Sequence, residues 1–143
     1  MNPNLIYLVQ TNTTVGFLSQ NLEKLNKIKK RPSNKKFLKV VSKYSLLPRI
    51  PKKYRKRVRK TPNNNTYVIK NEAYRVITES HHKEFLKKFK WMYSSSANES
   101  GKNFEETFAI KNADILVIDK RGYFESEPSK IFKISKNKIK KIR

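Results

Sequence analysis

Short, almost wholly apolar runs divided by polar turns set the first limit on what this chain can fold into. Leu5-Ile6-Tyr7-Leu8-Val9 is such a run, and it reads as a strand buried on both faces, the kind that α/β sheets contain. Asp114-Ile115-Leu116-Val117-Ile118 reads as a second buried strand. Residues 37–41, 66–69, 73–77 and 129–134 add four more candidate strands, rich in β-branched and aromatic side chains. Helical runs alternate with them. One starts near Ser19, carries Leu22, Leu25 and Ile28 at helical spacing and stops at Pro32. His82 to Trp91 forms another, with Phe85, Leu86 and Phe89 inward, and Phe104 to Ile110 a third. Residues 42–61 are broken by Pro48 and Pro51 and read as a short helix or a basic loop. Strands interleaved with helices predict an α/β (α+β by some schemes) sandwich. A length of 143 residues suits a single domain over 1–143.

Charge narrows the choice of partner. The chain carries 34 Lys and Arg against 11 Asp and Glu, a net charge of +23. Such an excess attracts polyanions, whether RNA, DNA, nucleotides or anionic lipid, although a Lys-, Asn- and Ile-rich composition accounts for part of it. Its placement is uneven: no acidic residue occurs between Glu23 and Glu72. Inside that stretch Lys52, Lys53, Arg55, Lys56, Arg57 and Arg59 crowd around Tyr54. They are candidate RNA contacts, through phosphate and base stacking, or else a solvated basic surface. The absence of cysteine excludes disulfides, thiolate metal sites and a Cys nucleophile, and fits a cytoplasmic location. No apolar run approaches a membrane span, and Met1 to Val9 lacks the pattern of a signal peptide.

Several polar groups are placed to meet an anion. Lys29 and Arg31 end a helix, where they suit phosphate or carboxylate or serve only the helix dipole. Ser95-Ser96-Ala97-Asn98-Glu99-Ser100-Gly101 makes a tight polar turn after an apolar run, either an anion cradle or an ordinary capped loop. Thr11, Thr13 and Thr14 follow the first strand, where α/β sheets often bind ligands, or form only a hydroxyl-rich turn. His81 and His82 lack a third ligand at metal spacing, so no protein metal site is expected. Glu105 and Glu106 read as a solvated helix face, and Asp114 and Asp119 as caps.

In this order, the pieces resemble the YrdC family of threonylcarbamoyl-AMP synthases. Gln10-Thr11-Asn12-Thr13-Thr14-Val15-Gly16-Phe17 is similar to that family's P-T-D-T-x-Y-G-L, keeping two threonines and the glycine. Ile28-Lys29-Lys30-Arg31-Pro32 matches I-K-x-R-P, and Lys35-Lys36-Phe37-Leu38 follows as its K-P-L strand. Pro62-Asn63-Asn64-Asn65-Thr66-Tyr67-Val68-Ile69 resembles P-G-P-x-T-Y-I-L. Arg75-Val76 resembles the start of R-V-P-D-H-P, with Glu79 among the departures. Ser95 to Gly101 is nearly T-S-A-N-x-S-G, Pro128-Ser129-Lys130-Ile131 resembles P-S-T-I, and Arg143 corresponds to an arginine of the last strand.

The resemblance implies a YrdC-like open twisted mixed sheet with a basic central cavity, in a chain shorter than most members. It implies L-threonylcarbamoyladenylate synthesis from L-threonine, bicarbonate and ATP, with Mg²⁺ carried by the nucleotide, for tRNA threonylcarbamoyladenosine modification completed by further proteins. On that reading Lys29, Arg31, Ser96 and Asn98 are catalytic. Thr11, Thr13, Thr66, Arg75, Ser129 and Arg143 bind substrate or nucleotide. The alternative is a non-catalytic YrdC-like protein that grips tRNA or other RNA. Related carbamoylation chemistry on another acceptor is a third reading.

Overall fold

The computed structural model describes residues 1–31, 36–60 and 65–143. Pro32, Lys35, Thr61 and residues 62–64, used in the sequence reading, lie outside the described residues. Among the described residues nine strands form one mixed sheet. In chain order these are β1 (Tyr7–Gln10), β2 (Val15–Ser19), β3 (Leu38–Val41), β4 (Asn65–Ile69), β5 (Glu72–Val76), β6 (Trp91–Ser96), β7 (Ile115–Leu116), β8 (Lys130–Ile134) and β9 (Ile139–Lys141). Across the sheet the order is β7-β1-β2-β6-β3-β5-β4-β8-β9. The pairs β1/β7, β3/β5 and β4/β8 are parallel and the other five antiparallel. Four helices flank it: α1 (Leu22–Lys29), α2 (Lys52–Lys60), α3 (Ser80–Lys87) and α4 (Glu106–Asn112).

Alternation along the strands divides the core. Tyr7, Val9, Leu18, Val40 and Met92 turn to one face and bury Phe85, Leu86 and Phe89 of the α3 segment. Leu8, Val15 and Phe17 turn to the other, against Leu25 of α1 and Ala109 of α4. Farther along that second face Val41, Tyr67, Ile69, Tyr74 and Ile134 receive Val58, the buried residue of α2. Among the described residues no helix is long and apolar enough to cross a membrane.

Three expectations need correction. Residues 15–19 are a strand, β2, and α1 starts only at Leu22. Asn21 decides that start, because its side chain accepts the Lys24 N–H at 3.1 Å and satisfies a helix-end donor. The buried strand expected over residues 114–118 is the two-residue edge strand β7, with Leu116 39% and Ile118 76% exposed. Periodicity reports an apolar run but not whether a neighbour covers it. The helix expected over residues 82–91 runs from Ser80 to Lys87, and Trp91 opens β6. Residues 42–60, open between a short helix and a basic loop in the sequence, form a short 3₁₀ turn, Tyr44–Leu46, followed by helix α2.

Candidate anion-binding site

A cavity of about 440 Å³ opens where β4, β5, β6 and β8 meet the loop that joins β1 to β2. Its centre is Arg75, on the same sheet face as its strand neighbour Val40. Arg75 is 6% exposed. Its Nε and one terminal nitrogen donate to Thr66 Oγ1 at 3.2 and 3.1 Å. The same guanidinium donates to Ser129 Oγ at 2.8 Å and Thr13 Oγ1 at 3.2 Å. Thr66 and Ser129 share a 2.7 Å hydroxyl–hydroxyl bond, so the three neutral side chains form one collar. No carboxylate pairs with Arg75 in this network. Burial, and then the charge of Arg143, push its pKa down to about 10, because both penalise the cation.

Further cations surround that collar. Arg143 donates through Nε and a terminal nitrogen to the Ser129 carbonyl at 3.1 and 2.9 Å. Arg31 lies over the Phe37 ring, 4.4 Å from its centroid, and reaches the Lys36 carbonyl at 3.3 Å. Burial lowers the Arg31 pKa as well. Lys36 completes a lining of four cations, joined by hydroxyls of Thr11, Thr13, Thr14, Thr66, Ser94, Ser95, Ser96 and Ser129. Among the described residues no Asp or Glu lines this cavity.

The threonine loop owes its shape to side chains behind it. Thr11 Oγ1 accepts the Thr13 N–H at 3.1 Å and donates to the Thr14 carbonyl, a side-chain turn of the kind Thr favours. Arg121 holds the carbonyls of Gln10 and Thr11 at 2.8 and 3.4 Å. Arg121 is itself paired with Asp119 at 2.7 Å and Glu79 at 3.3 Å. Glu79 also caps α3, accepting the backbone N–H groups of His81 and His82. Burial by itself would raise the Glu79 carboxyl, but those N–H groups, the His81 ring and Arg121 outweigh it and hold it at about 2. Beneath this network His82 is fully buried, and burial, assisted by Arg75, lowers its ring to about 3. Gly16 lets β2 approach β6: a Cβ there would sit 2.9 Å from the Ser95 carbonyl oxygen.

Eight of the ten residues chosen from sequence as catalytic or substrate-binding line this one cavity: Thr11, Thr13, Arg31, Thr66, Arg75, Ser96, Ser129 and Arg143. Lys29 and Asn98 do not. Lys29 is buried, and its Nζ donates to the carbonyls of Ser96 and Asn98 and to Asn98 Oδ1. Asn98 Nδ2 donates to the carbonyls of Glu99 and Lys102. The two side chains therefore brace the exit of β6 rather than face the cavity. Lys52, Lys53, Arg55, Lys56, Arg57 and Arg59 lie exposed on α2, outside the lining. Arg121 went unselected in the sequence. Its one local signal is the Asp119–Gly122 turn, where Asp119 Oδ1 accepts the Arg121 N–H and Gly122 takes a positive φ of 70°.

This arrangement of sheet and cavity has counterparts among solved structures. The crystal structure of E. coli YciO superposes with a TM-score of 0.78 at 15% identity, covering 98% of this chain and 82% of that one. The fold is that of YciO and Sua5. P. abyssi Sua5, in its crystal structure complexed with L-threonine, matches with a TM-score of 0.76 at 14% identity over 97% of this chain. This chain spans half of that Sua5 chain. The solution structure of MTH1692 from Methanobacterium thermoautotrophicum matches with a TM-score of 0.64 at 20% identity, over 96% of this chain and 79% of that one. The YrdC-like fold expected from the motifs is therefore present, in a chain that keeps few of the residues of these structures. No family model matches the sequence, and no curated protein matches it.

Proposed function

We propose that the cavity binds a nucleotide together with a carboxylate substrate and makes L-threonylcarbamoyl-AMP from L-threonine, bicarbonate and ATP. The observation that carries this reading is Arg75, a buried cation that among the described residues is bonded only to neutral hydroxyls, in a cavity lined by four cations and no carboxylate. A buried charge without a counter-charge is costly, and an anionic ligand removes that cost. The shared fold with a Sua5 solved with L-threonine supports the choice of substrate.

Threonine's neutral amine would bond to the bicarbonate carbon as the C–OH bond breaks and water leaves, giving a carbamate. A carbamate oxygen then bonds to the α-phosphorus of ATP as the bond to the bridging oxygen breaks and pyrophosphate leaves. The reaction asks for alignment and charge stabilisation rather than a protein nucleophile. Arg31 and Arg75 would offset phosphate and carboxylate charge, while Thr13, Thr66, Ser96 and Ser129 supply oriented hydroxyls. The lining offers no carboxylate to a metal, so Mg²⁺ would enter on the ATP phosphates.

A second reading has one observation in its favour: Lys29 and Asn98 engage the backbone around β6 rather than the cavity. On that reading the protein binds anionic ligands and makes nothing. One assay separates the two. The folded protein is incubated with labelled bicarbonate, L-threonine, ATP and Mg²⁺, and threonylcarbamoyl-AMP is sought by mass spectrometry. Product that requires threonine and falls at least a hundredfold in Arg31→Ala supports synthesis. ATP that raises the melting temperature without any product overturns it in favour of the binding reading.

A further inference from the structure

We propose that Arg121 is a positioning residue of the cavity: it locks a clasp, residues 119–125, around the threonine loop and so holds Thr13 against Arg75, ready for an anionic ligand. The role rests on the cavity taking such a ligand, as proposed above. Arg121 lies outside the cavity lining, so it acts through other residues. All five of its N–H groups have an acceptor. Nε and one terminal nitrogen donate to the two oxygens of Asp119 at 3.0 and 2.7 Å. The same terminal nitrogen donates to the Gln10 carbonyl at 2.8 Å, and the other donates to the Thr11 carbonyl at 3.4 Å and to Glu79 at 3.3 Å. A lysine offers three donors from a single point and cannot reproduce that fork.

The clasp grips the loop on both sides. Arg121 holds the two carbonyls at its entry, Gln10 and Thr11. At its exit the Phe124 carbonyl accepts the Val15 N–H at 3.1 Å, and the Phe124 N–H returns to Gln10 Oε1 at 2.9 Å. The clasp is anchored in turn. Tyr123 donates its hydroxyl to the Val117 carbonyl at 2.8 Å, Glu125 accepts the Phe104 N–H, and the Gly122 N–H closes on the Asp119 carbonyl at 3.2 Å. Between the two grips stands Thr13, whose N–H binds Thr11 Oγ1 and whose Oγ1 accepts from Arg75 at 3.2 Å. A shift of the Thr11 carbonyl therefore draws Thr13 off the guanidinium. Ligand affinity depends on such preorganisation, because a loop that is loose when free must be ordered on binding.

The two arginines divide the nearby polar groups between them. Asp119 and Glu79 both pair with Arg121, whereas among the described residues only hydroxyls meet Arg75. Arg121 is thereby saturated, and Arg75 stays open to an anion. The hydrogen bond from Arg121 holds the Asp119 carboxyl below its usual range, so the pair is ionised at neutral pH. Loss of Arg121 has two effects: it frees the loop, and it strips two carboxylates of their cation. Lysine separates them, because it keeps the charge and loses the fork.

The test compares Arg121→Lys with Asp114→Ala. Asp114 accepts the Ile6 N–H at the far end of β1 from the loop, so its loss costs stability without touching the clasp. Amide exchange at Thr13 and Val15 is followed by NMR without ligand, and ATP with Mg²⁺ is titrated by calorimetry. In Arg121→Lys, exchange at both amides should quicken about tenfold and the Kd for ATP should rise about tenfold. Asp114→Ala should leave both within about twofold, because distant sites act independently. If Arg121→Lys fails to fold, Asp119→Asn, which breaks the bidentate grip alone, takes its place. Unchanged exchange or native ATP affinity in Arg121→Lys would overturn the positioning role alone. Equal effects of Arg121→Lys and Asp114→Ala would overturn it in favour of a general loss of stability. A native protein that binds no ATP would overturn the ligand reading of the cavity, and this role with it.

Discussion

Arg75 and His82 show what two buried side chains cost this protein in exchange for a usable cavity. Arg75 keeps a desolvated cation against hydroxyls alone. An apolar residue of similar length removes that charge without leaving a hole, and such replacements are often neutral or stabilising. Arg75→Met should therefore melt at or above the native temperature while losing the stabilisation that ATP confers. Thermal shift with and without ATP measures both. His82 has no hydrogen-bond partner for either ring nitrogen among the described residues. Because its folded pKa, about 3, lies below the unfolded value of 6.5, the unfolded chain takes up the proton first. Stability is then full above pH 6.5 and falls as pH drops from there toward 3. Glu79 adds a loss with the same sign lower down, as pH falls from 4.5 through about 2. His82→Leu should flatten the urea midpoint between pH 6.5 and 4. An unchanged slope would mean that other groups govern acid unfolding.

At the scale of elements, the close pairing of β2 with β6 positions the cavity rim. Gly16 faces Ser96 across that pair, and a Cβ would press on the Ser95 carbonyl at 2.9 Å and on Thr11 Cγ2 at 3.3 Å. The first contact is backbone and cannot rotate away. Gly16→Ala should cost about 2 kcal/mol in urea unfolding, within the range for overpacking, and weaken ligand binding by displacing Thr11. Native stability in this variant would mean that the two strands separate without penalty. Local sequence pattern misassigns elements where context decides. Residues 15–19 carry one glycine and a weak pattern, so pairing with β1 and β6, not local propensity, makes them a strand. Residues 114–118 carry a strong pattern, yet they end at the sheet edge because β1 alone pairs with β7. Asp114 is a cap, as its residue type suggested, but it caps the neighbouring strand, accepting the Ile6 N–H at 2.8 Å.

For the whole molecule, a charge of +23 sets a global strain that a few exposed ion pairs do not relieve. Screening shortens the reach of that repulsion. The melting temperature should rise by about 3 °C or more from 20 to 300 mM NaCl, and further with polyphosphate at equal ionic strength. A fall with salt would show that attractive pairs dominate. The sequence by itself determined the α/β class, the apolar strands and the residue types that meet an anion. These are local properties: hydrophobic period, turn chemistry and side-chain charge. Tertiary structure alone decided which of those groups meet. The register that sets Thr66 beside Ile131 of β8 brings residues 63 positions apart, Thr66 and Ser129, into one hydroxyl pair under Arg75. The packing of α1 against β2 turned Lys29 toward the backbone carbonyls of Ser96 and Asn98 while leaving Arg31, two residues on, at the cavity. The direction of a side chain depends on neighbours distant in sequence, and no local pattern encodes it.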